Sequence, residues 1–149
     1  MITMLSATED DVHELAPLLR AEDRAEVLAL GLDPVDGLLQ SLAAAREAWT
    51  YRDGDRIICM AGVVPLSLIG STGVPWLLGS PLVARHRRAF MVETRRMVAH
   101  WLMMFGVLRN VVDDRYVAAH RWLRWLGFEI GETFPLANGR FRVVHKEAE

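Results

Sequence analysis

Three acidic side chains, Glu22, Asp23 and Glu26, crowd one stretch of the chain, and Asp113 and Asp114 form a second acidic site. A carboxylate that ionises near neutral pH can take a proton from an attacking amine, so these five are the candidates for general-base work. The plainer reading makes the first group a solvated helix face and the second a helix cap. His86, His100 and His120 are of the residue type suited to proton transfer near neutral pH, but their spacing gives neither metal-ligand geometry nor a triad. His13 and His145 read as surface residues. Arg85, Arg87, Arg88, Arg95 and Arg96 form the main basic cluster, able to hold an anion by side-chain charge or simply to solvate a helix start. Cys59 is the single cysteine and lies in an apolar run, which rules out an intrachain disulfide and reads as a buried, inert thiol in a reducing compartment. No nucleophile elbow, phosphate-binding P-loop or Cys-His cluster is present, and no metal is expected.

Those side chains need elements to position them. Ile2 to Leu5 reads as a first strand, and Thr8 caps a helix from Glu9 to about Leu19, in which Pro17 is a local conflict. Arg20 to Leu30 reads as a second helix ending at Gly31, and Asp33-Pro34 starts a third that runs to about Arg46. Two strand-like runs, Ala48 to Arg52 and Arg56 to Val64, flank Asp53-Gly54-Asp55, a strong hairpin signal. Val74 to Leu78 reads as a further strand, and Pro75 predicts a bulge or exposure there because it cannot donate to a ladder. A long helix should then run from Pro81 or Ala84 to Phe105, with Gly106 ending it. Val107 to Val112 reads as a strand, and Asp113-Asp114 as the cap of a helix reaching Leu126. On that helix Ala119, Trp122, Leu123 and Leu126 share the apolar face and His120, Arg121 and Arg124 point elsewhere. Phe128 to Phe134 and Phe141 to His145 close the chain as a hairpin about Ala137-Asn138-Gly139.

At 149 residues and 52% hydrophobic content the chain suits a single domain, residues 1–149, with one substantial core. The formal charge of −2 gives no electrostatic reason to expect nucleic acid as a partner. Met1 to Leu5 lacks a basic region followed by a long apolar run, so no signal peptide is expected. No stretch approaches the ~20 apolar residues of a membrane helix, so no membrane partner is expected either.

The helix ending in Leu126-Gly127-Phe128 and feeding a strand resembles the fourth helix and following strand of the GNAT (GCN5-related) N-acyltransferases. The full order of elements, strand, helices, three strands, helix, strand, helix, two strands, is similar to that family's over nearly the whole chain. The resemblance implies a mixed α/β fold: a mostly antiparallel sheet of six or seven strands, with strands 4 and 5 splayed and helices on both faces. It implies acetyl-CoA held against the backbone of Trp76, Leu77, Leu78 and Gly79, with the pyrophosphate near Arg85, Arg87 and Arg88. An amine acceptor would then attack the thioester directly. The family's phosphate loop, Gln/Arg-x-x-Gly-x-Gly/Ala, falls on Leu82 to Phe90, which contains no glycine. Leu123 stands where the family has a Tyr that protonates the leaving thiolate, and Tyr116 where it has Asn. Tyr116, Glu22 and Glu26 are therefore the catalytic candidates.

A narrower similarity covers Glu22 to Val27, Val63 to Leu66, Gly73 to Gly79 and Arg121 to Phe128. These stretches resemble phage-encoded GNAT-like proteins, a group that includes an internal virion or assembly protein of short-tailed phages. It implies a phage or prophage origin, a place in the host cytoplasm or the virion, and phage structural subunits as an alternative to acyl-CoA and amine partners. A homo-oligomer is left open.

Overall fold

The Asp53-Gly54 turn joins two antiparallel strands, as its residue types dictate, and Gly54 takes the left-handed backbone (φ 59°) that glycine adopts without cost. The computed structural model describes residues 1–149. In chain order the elements are β1 (Ile2–Ser6), α1 (Glu9–Leu15), α2 (Ala21–Ala29), α3 (Pro34–Ala44), β2 (Glu47–Asp53), β3 (Arg56–Pro65) and β4 (Thr72–Gly79). There follow α4 (Leu82–Arg85), α5 (Arg87–Phe105), β5 (Val107–Asp113), α6 (Val117–Trp125), β6 (Glu129–Leu136) and β7 (Gly139–Glu147). The strands form one seven-stranded sheet in the order β1-β2-β3-β4-β5-β7-β6, antiparallel throughout except between β4 and β5. That is the mixed, mostly antiparallel sheet expected, with helices on both faces.

Two apolar layers sandwich the sheet. On one face Val12 and Leu15 of α1 and Leu38 of α3 pack on Ile57 and Met60. On the other, Met97, Val98, Trp101 and Phe105 of α5, with Leu126 after α6, pack on Cys59, Ala61, Val63, Leu108 and Val144. Each large side chain so buried contributes roughly 1.5–3 kcal/mol. Trp122 ties α6 to α5: its ring lies 5.4 Å from that of Phe90 and its indole N–H donates to Thr94 Oγ1 at 3.2 Å. Gly127 (φ 94°) ends that connection in the left-handed conformation its sequence context predicts.

Several local expectations change. Pro17 ends α1 at Leu15 and converts the next residues, Ala16–Leu18, into a 3-10 turn, because its ring cannot sit in a regular helix interior. The long helix predicted after β4 is broken at His86 (φ −113°, ψ 32°), where the imidazole Nε2 reaches Asp53 Oδ2 at 3.1 Å. The β3–β4 register runs unshifted through Val63 opposite Pro75, so there is no bulge. Asp113 and Asp114 do not cap α6: the first binds Arg115 and the second Arg142, and Tyr116 takes the cap position without a side-chain bond. His120, placed on the outer face by its spacing, is buried, with Nε2 3.0 Å from the Asp113 carbonyl. Since a carbonyl only accepts, that nitrogen carries the proton.

Candidate active site

Strands β4 and β5 begin side by side and then part. Thr72 pairs with Val107 and Gly73 with Leu108, after which no residue of β4 pairs with β5. Asn110 wedges the opening by donating its side-chain amide to the Pro75 carbonyl at 2.6 Å. In an antiparallel ladder, alternate residues turn their backbone groups to opposite sides. Thr72 and Ser80 bond to β3 chain segments, whereas the Pro75 carbonyl and the Gly79 N–H bond away from β3. Leu77, in phase with Pro75 and Gly79, therefore directs its N–H and C=O into the cleft. Pro75 has no N–H to leave unpaired on that side, which explains how proline sits in an interior strand.

Of the four β4 residues named from the sequence, Leu77 alone offers free backbone to the cleft. Trp76 and Leu78 turn theirs to β3 and pack their side chains into the α1–α3 layer. Gly79 is satisfied within the chain: its N–H donates to Asp23 Oδ2 at 2.8 Å and its carbonyl accepts from the Arg20 N–H at 2.9 Å. A side chain there would collide with Val83, since a Cβ would lie 2.7 Å from its Cγ2.

Helix α2 spans the wide end of the cleft. Asp23, 2% exposed, accepts from the Gly79 N–H, from the Arg20 guanidinium at 2.7 Å and from the Tyr116 hydroxyl at 2.8 Å. One turn later Glu26 Oε2 accepts from the Asp113 N–H, at the end of β5, at 2.8 Å. The sequence candidates Glu26 and Tyr116 thus converge around Asp23, while Glu22 lies exposed on the outer side of the same helix. Asp23 was legible as an acid; its central place was not, since its partners Gly79 and Tyr116 lie 56 and 93 residues away.

Charge is unevenly tolerated here. Burial, reinforced by the Asp23 and Asp113 carboxylates, raises the Glu26 carboxyl from 4.5 to about 7, against the pull of the Asp113 N–H and Arg20. Glu26 is therefore a carboxylate that can take a proton near neutral pH. Burial and the neighbouring Asp23 push the Tyr116 phenol well above its ordinary value, so its proton is tightly held. Burial also pushes the Cys59 thiol up to about 12, which makes it inert.

At the start of α5 the N–H groups of Arg87, Arg88 and Ala89 precede the first intrahelical bond, from Phe90 to His86, and no side chain caps them. Unsatisfied N–H groups and the positive end of a 19-residue helix favour an anion. Arg85, Arg87 and Arg88 surround this end, all exposed and none in an ion pair. The break at His86 creates this helix start where the sequence, lacking glycines, gave no phosphate loop. The cleft offers the Leu77 backbone to a carbonyl and the α5 terminus offers N–H groups and arginines to an anion. Arg87 and Arg88 line a groove beside Trp125, and Arg85 and Arg88 one beside Ile2 and Met4.

No protein-family model and no curated protein sequence matches the chain. Solved structures do match it in fold. A ribosomal-protein-alanine N-acetyltransferase from Brucella melitensis superposes with a TM-score of 0.71 at 15% identity, covering 98% of this chain and 99% of that one. An aminoglycoside acetyltransferase in complex with coenzyme A gives 0.70 at 16% identity, covering 99% and 95%. A chimera of the Vibrio cholerae spermidine N-acetyltransferase and hSSAT gives 0.70 at 12%, covering 98% and 95%. At these identities the likeness is one of fold, and the fold is that of the GNAT acetyltransferases.

Proposed function

We propose that the chain is a single-domain N-acyltransferase that takes acetyl-CoA and an amine. The observation that carries this reading is the β4–β5 cleft, with the Leu77 backbone facing into it and the Glu26 carboxylate at its open end. The cofactor supplies an activated thioester carbonyl. Arg85, Arg87, Arg88 and the first N–H groups of α5 hold the phosphates, and the Leu77 N–H receives the carbonyl oxygen, where negative charge builds during attack. Glu26 takes the proton that the amine nitrogen loses as its bond to the carbonyl carbon forms. The C–S bond then breaks and the thiolate leaves. With Leu123 in place of the family's Tyr and the Tyr116 proton committed to Asp23, solvent protonates it. Glu22 marks the outer rim of the acceptor side and favours a cationic acceptor.

Calorimetric titration with acetyl-CoA tests the reading. Micromolar binding, weakened tenfold or more by Arg87→Glu, is the expected result, and absence of heat at millimolar ligand removes it.

A second reading has its own support, in the Gly79 backbone groups already consumed by Asp23 and Arg20 and in the Trp122–Phe90 contact that draws α6 onto α5. Those contacts suit a protein that keeps the fold for packing against other subunits, and the sequence resemblance makes those the virion or assembly subunits of a phage or prophage. Recovery from purified virions at fixed stoichiometry would support it, and absence from both virions and assembly intermediates would end it.

A further inference from the structure

The sheet has two edges, and the chain treats them differently. The β6 edge carries Glu129 and Glu132, a register shift between Ile130 and Thr133, and Pro135, all devices that discourage another strand from pairing. The β1 edge, Ile2-Thr3-Met4-Leu5-Ser6, has no charge, no proline and no register shift, and Leu5 is 58% exposed. Such an edge is a template for another strand unless a partner covers it.

The phase of β1 fits a second copy as that partner. The Met1 carbonyl accepts from Gly54 and the Ala7 N–H donates to Ala48, so odd-numbered residues bond inward to β2. Ile2, Met4 and Ser6 therefore present their N–H and C=O groups outward. These three positions are symmetric about Met4. An antiparallel second copy placed on a two-fold axis through Met4 pairs Met4 with Met4, Ile2 with Ser6 and Ser6 with Ile2, leaving no outward group in the strand unpaired. The charges beside the seam are also self-complementary. Arg96 reaches Met4 Sδ at 4.0 Å and is paired with Glu93 one turn away, so the axis brings a carboxylate and a guanidinium from each copy together. Along the seam a groove of about 660 Å³, floored by Ile2, Met4, Tyr51 and Val92 and walled on the α4–α5 side by Arg85 and Arg88, whose guanidinium groups the proposed function also uses, supplies the side-chain contact that a five-residue strand alone lacks. A standard interface needs roughly 800 Å² from each partner.

We infer that the chain forms a two-fold homodimer by antiparallel pairing of β1 with β1 of a second copy, centred on Met4, which joins the two sheets into one. Sedimentation equilibrium of the untagged chain over a concentration series tests it. The expected result is twice the 16.8 kDa chain mass for the wild type and a monomer for Met4→Pro, which removes an outward N–H and no inward one. A geometric test stands beside it, since Cys59 is buried and the chain has no other cysteine. Met4→Cys should link two copies by a disulfide under mild oxidation, because directly opposed Cα atoms lie about 5.5 Å apart. Thr3→Cys should not, because its copy lies two positions further along the partner strand. A monomeric wild type, a Met4→Pro dimer of unchanged strength, or equal linking at positions 3 and 4 would each overturn the proposal.

Discussion

Glu26 is where the fold and the proposed chemistry pull in opposite directions. In the unfolded chain it gives up its proton near pH 4.5, whereas in the fold burial holds that proton to about pH 7. Between those values the folded protein keeps a proton that the unfolded chain has lost, so stability falls as pH rises from about 4.5 to 7 and then levels. The full cost is about 3 kcal/mol. Glu26→Gln still accepts the Asp113 N–H but carries no charge. It should be more stable than wild type at pH 8 by about 3 kcal/mol and no different well below pH 4.5, as read from denaturant melts across that range. Acyl transfer should drop about 100-fold or more, and a variant that keeps the wild-type rate removes Glu26 as the base. Tyr116→Phe tests the neighbouring contact. Asp23 loses one of its donors, a cost of about 1–2 kcal/mol, while turnover should change less than tenfold because that proton serves Asp23. A hundredfold loss of kcat without loss of stability would instead make Tyr116 the acid.

Helix α2 shows how much an element can matter beyond its own stability. Its surface reads from sequence as an ordinary charged helix, and its bounds, Ala21–Ala29, fall close to the predicted Arg20 to Leu30. Nothing local distinguishes Asp23, which bonds β4 and α6, from Glu22, which faces solvent. Asp23→Ala strips the partner from a buried guanidinium, a phenol and a backbone N–H at once, and should cost about 3–5 kcal/mol in urea unfolding. A loss below about 1 kcal/mol would mean that α2 is only loosely seated. The α4–α5 break escaped prediction for a similar reason, since Leu82 to Phe105 is helix-permissive throughout and the contact at His86 comes from Asp53 in the β2–β3 turn. By contrast, Asp53-Gly54 and Leu126-Gly127-Phe128 announced themselves, because turn and helix-end chemistry is set by the residues involved.

For the whole molecule, strand count and order of elements were legible because each follows from spacing along the chain, whereas one core was expected and the sheet carries two apolar layers. What spacing could not reveal is that the cleft is both wedged open and clasped. Gly73 sits at its apex, where an added Cβ would meet the Phe105 ring at 2.7 Å. Gly73→Ala should therefore cost about 1–3 kcal/mol by overpacking, and the loss of thermal stability should shrink when Phe105 is shortened to Leu in the same chain. The parted strands also divide the sheet mechanically. Strands β1 to β4 make one leaf and β5 to β7 another, joined by two residue pairs near Gly73, by Asn110 and by the α5 side chains packed on both, and clasped at the far margin by Asp23 and Glu26. The molecule is a book whose spine lies at Gly73 and whose catch is α2. Opening the catch lets the leaves rock about the spine, so amide deuterium exchange at Gly79 and Asp113, on opposite leaves, should rise and fall as one.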